Sequence, residues 1–230
     1  MSKSVLKKLP VTAVIVHFRT FELTRMAIWS LKTNYPDMEL IVVENHSCDG
    51  SLEMLNDLAG TLKNVSVLPM EKHIHHGPGM DAAINKCDDK WILVCDSDCI
   101  VYRPGVVETM LSKASDKTYM IGKMHFLDTN GFFANAKTFP VVKYIHPHFA
   151  LVRKEFYSKF QPFEKHGSPC LTNEMQAQRD GFELVEFPVN EYVYHIERGT
   201  VTSFGYGLGF AGQIVKFKRI LNRIFWSFRK

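Results

Sequence analysis

The chain has 230 residues, 46% apolar and 23% charged, a globular composition with ample material for one core. A formal net charge of +4 is too small to point to nucleic acid, and five cysteines without a CxxC indicate neither a disulfide framework nor a zinc site. No apolar run approaches the ~20 residues that span a bilayer, so the expected compartment is reducing and cytoplasmic.

The first half alternates strand and helix signals. Val11–Val16 is a short continuous apolar run, as expected of a strand buried on both faces. Thr20–Lys32 has helical spacing, with Leu23, Met26, Ala27, Ser30 and Leu31 as the expected inward stripe. A turn at Asn34–Asp37 leads to a second strand, Glu39–Glu44. Asp49-Gly50-Ser51 opens a second helix that ends near Gly60, and Val65–Leu68 is a third strand. A further helix covers Met80–Cys87, and the strand Trp91–Cys95 stops at Asp96. Repeated β-α-β units with short connections predict a doubly wound α/β sheet, which binds ligands beyond the carboxyl ends of its strands.

The second half is less regular. A helix over Gly105–Lys113 precedes a strand near Tyr119–Met124, and Asp128-Thr129-Asn130-Gly131 is a hairpin-type turn. Val141–Val152 reads as a strand leading to Arg153. Thr172 is the expected cap of a helix over Asn173–Asp180, stopped by Gly181, and Phe182–Phe187 and Tyr192–Ile196 are further strands. The Gly-rich stretch Gly205–Gly212 reads as a joint before a basic tail.

The sharpest local feature is Trp91-Ile92-Leu93-Val94-Cys95-Asp96-Ser97-Asp98, an apolar strand ending in two carboxylates one residue apart. Alternate residues of extended chain point the same way, so both carboxylates can face one ion. Hard oxygen ligands suit Mg²⁺ or Mn²⁺ bridging substrate phosphates. The same spacing also suits a strand followed by an Asx turn.

Three other segments keep this one company. They are Val43-Glu44-Asn45-His46-Ser47-Cys48-Asp49-Gly50-Ser51, His76-Gly77-Pro78-Gly79-Met80-Asp81, and His195 followed by Gly199-Thr200 and Ser203. Together the four resemble, in order, the motifs of family-2 glycosyltransferases with the GT-A fold, over roughly residues 10 to 204. The resemblance implies a single GT-A-like α/β domain over residues 1–204, with a mixed, mainly parallel sheet flanked by helices. Residues 205–230 are then the Gly-rich joint and a basic amphipathic helix.

The implied activity is inverting, metal-dependent transfer of a sugar from a UDP-, GDP- or dTDP-sugar to a hydroxyl of a glycan or lipid-linked acceptor, in cell-surface polysaccharide assembly. By the same resemblance, His17, Phe18 and Arg19 line the nucleobase and Glu44 takes a hydrogen bond from it, where the family usually has Asp. Asp96 and Asp98 hold Mn²⁺ or Mg²⁺, with Asp98 the direct ligand and Ser97 beside the nucleotide sugar. His195 is a further ligand or a diphosphate contact. Gly77 lets backbone pass close to the donor, and Asp81 either orients the donor sugar or caps its helix. His73, His75 and His76 suit phosphate or structural contacts better than zinc.

The base that activates the acceptor hydroxyl is expected at Glu174, with Glu164 and Asp180 as fallbacks. His146 and His148 fall where the family contacts its acceptor, or are satisfied histidines of a buried strand. Two further classes compete with this assignment. A non-catalytic sugar-nucleotide binder is suggested by Glu44 and by the missing Asp near Glu174. A sugar-phosphate nucleotidyltransferase would need a Gly-rich loop after the first strand, and Val16–Thr20 contains no glycine.

The tail stands apart from the body. Lys216, Lys218, Arg219, Arg223, Arg229 and Lys230 have no acidic neighbour from Ile214 onward, and setting these six aside leaves the rest of the chain at −2. Ile214, Phe217, Leu221, Ile224, Phe225 and Phe228 recur at helical spacing among them. An amphipathic helix of this kind suits the inner face of an anionic membrane, or packs back on the domain or on a second copy.

Overall fold

The computed structural model describes residues 9–134, 140–164 and 167–196. All thirteen expected helices and strands are found, most within two or three residues of their predicted limits. In chain order they are β1 (Val11–His17), α1 (Phe21–Asn34), β2 (Glu39–Glu44), α2 (Ser51–Thr61), β3 (Val65–Pro69), α3 (His76–Ile84) and β4 (Trp91–Asp96). There follow β5 (Cys99–Val101), α4 (Val106–Leu111), β6 (Thr118–Leu127), β7 (Val142–Arg153), α5 (Lys154–Tyr157), α6 (Leu171–Arg179), β8 (Glu183–Glu186) and β9 (Val193–His195).

The main sheet has seven strands in the order β3-β2-β1-β4-β7-β6-β8. β1 pairs parallel with β2 and β4, and β2 pairs parallel with β3. That half is the doubly wound unit expected from the sequence. β7 then inserts antiparallel between β4 and β6, and β8 returns parallel to β6. A separate two-stranded ribbon joins β5 to β9. Every residue of β1 is buried, because helices cover both faces of a central parallel strand. Two apolar clusters follow, one on each side of the sheet.

Three local expectations are corrected. The buried face of α1 is Thr24, Ala27, Ile28, Leu31 and Lys32, while Met26 is 47% exposed and Trp29 44%. The stripe is therefore rotated, and Lys32 is accommodated because its Nζ donates to the Met38 carbonyl at 2.6 Å. Thr172 lies inside α6, whose first residue follows Cys170, and no side chain caps it. Gly77-Pro78-Gly79 forms the first turn of α3, not a turn ahead of it. Proline is tolerated there because first-turn amides have no intrahelical partner.

Candidate functional site

The site assembles at the carboxyl edge of β1, β2 and β4, where three loops are laced together. Asn45, 1% exposed, receives the Ile74 amide on Oδ1 and donates through Nδ2 to the His75 carbonyl. Ser47 accepts the Arg19 amide on Oγ and the Arg19 Nε–H on its carbonyl, each at 3.1 Å. Glu44 holds the same loop from below, its Oε1 accepting the Ser47 amide at 2.7 Å.

Four residues of these loops that are not glycine lie in the left-handed region: Arg19 (φ 55°), His46 (φ 61°), Cys48 (φ 55°) and His75 (φ 69°). Each such conformation costs on the order of 1–3 kcal/mol and persists only where the surroundings enforce it. Their concentration at one sheet edge is held in place by the laced loops.

Phe18 and Arg19 are half-buried at that edge. The Phe18 ring lies 4.2 Å from that of His73, and the Arg19 guanidinium sits over Phe18 at 5.2 Å. Burial, aided by His75 and Arg19, lowers the pKa of His73. This is a flat, uncharged aromatic face beside a cation, suited to a nucleobase.

His17 sits beneath it and is fully buried, with Nδ1 2.7 Å from Thr24 Oγ1. Burial lowers its pKa to about 4, so the ring is neutral. Thr20 bonds Thr24 and donates to Ser97 Oγ at 3.1 Å, tying β1 to the two-carboxylate turn. Ser97 is thereby engaged from inside the fold, as His17 is.

Asp96 ends β4 as expected and Asp98 follows in the turn before β5, and each faces a histidine brought from elsewhere. His76 Nε2 lies 3.2 Å from Asp96 Oδ1, and His195 Nε2 lies 3.3 Å from Asp98 Oδ1. Burial opposes charge on both members of the first pair, but their mutual attraction outweighs it. The pKa of His76 is raised, and Asp96 stays well below the usual carboxylate range, helped by His146 and His195.

The β5–β9 ribbon positions His195, which pairs in register with Cys99. Ligand atoms of Asp98, Cys99 and His195 all lie within 4.8 Å of one another. A carboxylate and an imidazole beside a second carboxylate fit Mn²⁺ or Mg²⁺. Cys99 is fully buried, its thiol donating to the His148 carbonyl at 3.2 Å, and burial raises its pKa, so it stays protonated.

His146 and His148 adjoin this centre on β7. Their Nδ1 atoms are 2.9 Å apart, and His148 stacks on His195 at 4.7 Å with the planes 22° apart. Burial lowers His146 to about 4 and His148 to about 3, so both rings are neutral. His148 is 2% exposed, which leaves His146 as the ring open to a ligand.

Gly77 and Asp81 have partners within the fold. A Cβ on Gly77 would lie 1.4 Å from the Glu164 carbonyl oxygen, so that glycine is required by the close approach of the 164 backbone. Asp81 Oδ1 accepts the Tyr157 hydroxyl at 2.7 Å. Glu174 is fully buried, with Oε2 accepting the Ile145 amide at 2.7 Å. Burial pushes its pKa well above the ordinary value against the pull of that amide. Glu174 is thus enclosed against β7, with a carboxyl whose neutral form is favoured by burial.

Asn45 and Ser47 received no role from sequence, and His76 was expected to make phosphate or structural contacts, not to pair with Asp96. The signal for His76 was present, since it opens the segment that ends in Asp81, but its carboxylate partner is on another strand. Gly199, Thr200, Ser203, the joint and the basic tail lie outside the described residues.

Comparison with known proteins bears on the fold. No curated protein matches the chain by sequence. The mannosyltransferase PcManGT from Pyrobaculum calidifontis, solved with GDP-Man and Mn²⁺, is similar with a TM-score of 0.61 at 11% identity. The alignment covers 78% of this chain and 55% of that one. S. aureus TarS 1-349 in complex with UDP-GlcNAc has a TM-score of 0.57 at 14% identity, covering 81% of this chain and 58% of its own. GalNAc-T7 with UDP, GalNAc and Mn²⁺ gives 0.62 at 12% identity, covering 80% and 43%.

At these identities the likeness establishes a shared fold, and the chain spans only about half the length of these structures. The GT-A fold expected from the motifs is the one found. The description "Glycosyl transferase family 2" matches residues 12–161, well over half of the sequence, and the chain belongs to that family.

Proposed function

We propose that the protein transfers a glycosyl unit, with inversion, from a nucleotide-diphosphate sugar to a hydroxyl of a glycan or lipid-linked acceptor in cell-surface polysaccharide assembly. The observation that carries this is the meeting of Asp98 with His195 at 3.3 Å, beside Asp96 and at the carboxyl edge of the sheet. Asp96, Asp98 and His195 would hold Mn²⁺ or Mg²⁺, which would supply Lewis-acid neutralisation of the diphosphate. Phe18 and Arg19 receive the base of a UDP, GDP or dTDP donor. Glu44 acts by fixing the Ser47 loop around that base.

His146 faces the acceptor. As a neutral imidazole with a pKa near 4 it has the basicity of an ordinary carboxylate, and it accepts the hydroxyl proton. Glu174 braces it, because the Ile145 amide that Glu174 binds is one residue away. The test is donor release and transfer across a panel of UDP-, GDP- and dTDP-sugars with Mn²⁺ or Mg²⁺. Metal-dependent release of one nucleotide supports the reading. Metal-dependent binding without release on any acceptor supports a non-catalytic binder instead.

A further inference from the structure

A row of aromatic rings leads away from the site along one face of β6 and β7. From His195 the row passes to His148 at 4.7 Å between centroids and to His146 at 4.8 Å. It continues to His125 at 5.4 Å and to Phe133 at 5.3 Å. The strand register produces this alignment. His125 lies opposite Tyr144, two residues before His146, and alternate residues of a strand share a face. Exposure rises outward: His148 is 2% exposed, His146 and His125 are half-buried, and Phe133 is 73% exposed.

A tight turn presents Phe133. The residue bridges to Leu127 across the turn, and Asp128 Oδ1 accepts the amides of Asn130 and Phe132 at 2.8 and 3.0 Å. The Asp128 amide donates in return to the Phe132 carbonyl at 2.8 Å. Ser168 Oγ donates to the Gly131 carbonyl at 3.1 Å, which ties the turn to the segment before α6. A ring presented on a fixed turn loses little freedom when a ligand covers it.

We propose that this row is the acceptor track, and that the acceptor is a saccharide of at least two units whose outer unit lies on Phe133. The inference rests on the transfer reading above, which puts the reacting hydroxyl at His146. Two ring-to-ring steps separate His146 from Phe133. A single pyranose, about as wide as one of these rings, does not cover both. The C–H face of a pyranose packs on an aromatic ring while its hydroxyls need polar partners, and a row of imidazoles ending in Phe133 suits both. A hydrocarbon chain along the same row would desolvate imidazole nitrogens without bonding them, so the surface favours the saccharide.

The test titrates methyl glycosides of glucose, galactose, mannose and N-acetylglucosamine, and the matching methyl disaccharides, into the full chain. Binding is followed by the imidazole C–H resonances of His125 and His146. One disaccharide should shift both and bind about fivefold or more tightly than its monosaccharide. That advantage should vanish in Phe133→Ala and survive in Phe133→Tyr, which keeps the ring. It should also survive in Phe126→Ala, whose exposed side chain alternates to the opposite face of β6. Disaccharides that bind no more tightly than monosaccharides, or not at all, overturn the proposal, as does an advantage that persists in Phe133→Ala. An n-hexyl glycoside that shows the same Phe133-dependent advantage overturns it in favour of a lipid. Metal-dependent nucleotide release, measured alongside, separates the two readings. Release accompanied by any of these failures rejects the track alone, and no release from any donor rejects the transfer reading and the acceptor role with it.

Discussion

Asp98 and His195 come from opposite ends of the sequence pattern, and the β5–β9 ribbon brings the imidazole Nε2 to 3.3 Å from the carboxylate. A corresponding contact joins His76 to Asp96 at 3.2 Å. Each carboxylate of the turn is thus oriented by a histidine from a different element. In the proposed function these groups would take an ion with little rearrangement, because their orientation is fixed beforehand.

The close approach at Gly77 gives a stability prediction. A methyl group there would overlap the Glu164 carbonyl oxygen, which is backbone and cannot rotate away. Gly77→Ala should destabilise the fold by at least about 3 kcal/mol, read as a shift in urea midpoint. Gly60→Ala, with nothing within 4 Å of its Cβ, is the control and should stabilise slightly or change nothing.

Glu174 and His146 make a paired prediction. Burial favours the neutral form of Glu174, and Glu174→Gln keeps that shape and neutral charge. Transfer by Glu174→Gln should fall by no more than about threefold, whereas His146→Ala should lose about 100-fold or more in kcat. A Glu174→Gln variant that binds donor normally but does not turn over would return the base role to Glu174.

The first half of the fold was legible because burial on both faces of β1 and β4 leaves continuous apolar runs that the chain announces directly. The carboxylate turn was legible for the same reason, since Asp96 and Asp98 follow such a run. The antiparallel entry of β7 between β4 and β6 was not, because strand direction depends on pairing partners that local pattern does not encode. Nor was the rotation of α1, where Thr24 is buried through its bonds to His17 and Thr20 while Trp29 is left outside. Glu174 showed a carboxylate at the expected place, but its protonation is set by the packing of β7 above it.

Three buried neutral imidazoles predict how stability depends on pH. His17 and His146 have pKa values lowered from 6.5 to about 4, and His148 to about 3. A depressed pKa means the unfolded chain binds the proton first. The stability these three rings contribute is full above pH 6.5 and falls as pH drops towards 4, by up to about 1.4 kcal/mol per pH unit for each group, while His76 and Glu174, with raised pKa values, act in the opposite direction. Urea midpoints measured from pH 7.5 to 4.5 should fall steadily below 6.5. A flat profile would show that these rings do not outweigh the opposing pair.

Phe18 tests the base surface independently of the metal. Phe18→Ala removes a face that contacts ground state and transition state alike, so donor KM should rise about tenfold with kcat nearly unchanged. An unchanged KM would move the nucleobase elsewhere.

The central claim is that Asp98 holds the ion through which the donor diphosphate is bound. The most direct measurement is calorimetric titration of the identified nucleotide diphosphate, with and without Mn²⁺, into the intact chain and into Asp98→Ala. The account predicts nucleotide binding that strengthens about 100-fold or more with Mn²⁺ in the intact chain, and no strengthening in Asp98→Ala. Equal binding by the two proteins in the presence of Mn²⁺ would contradict it.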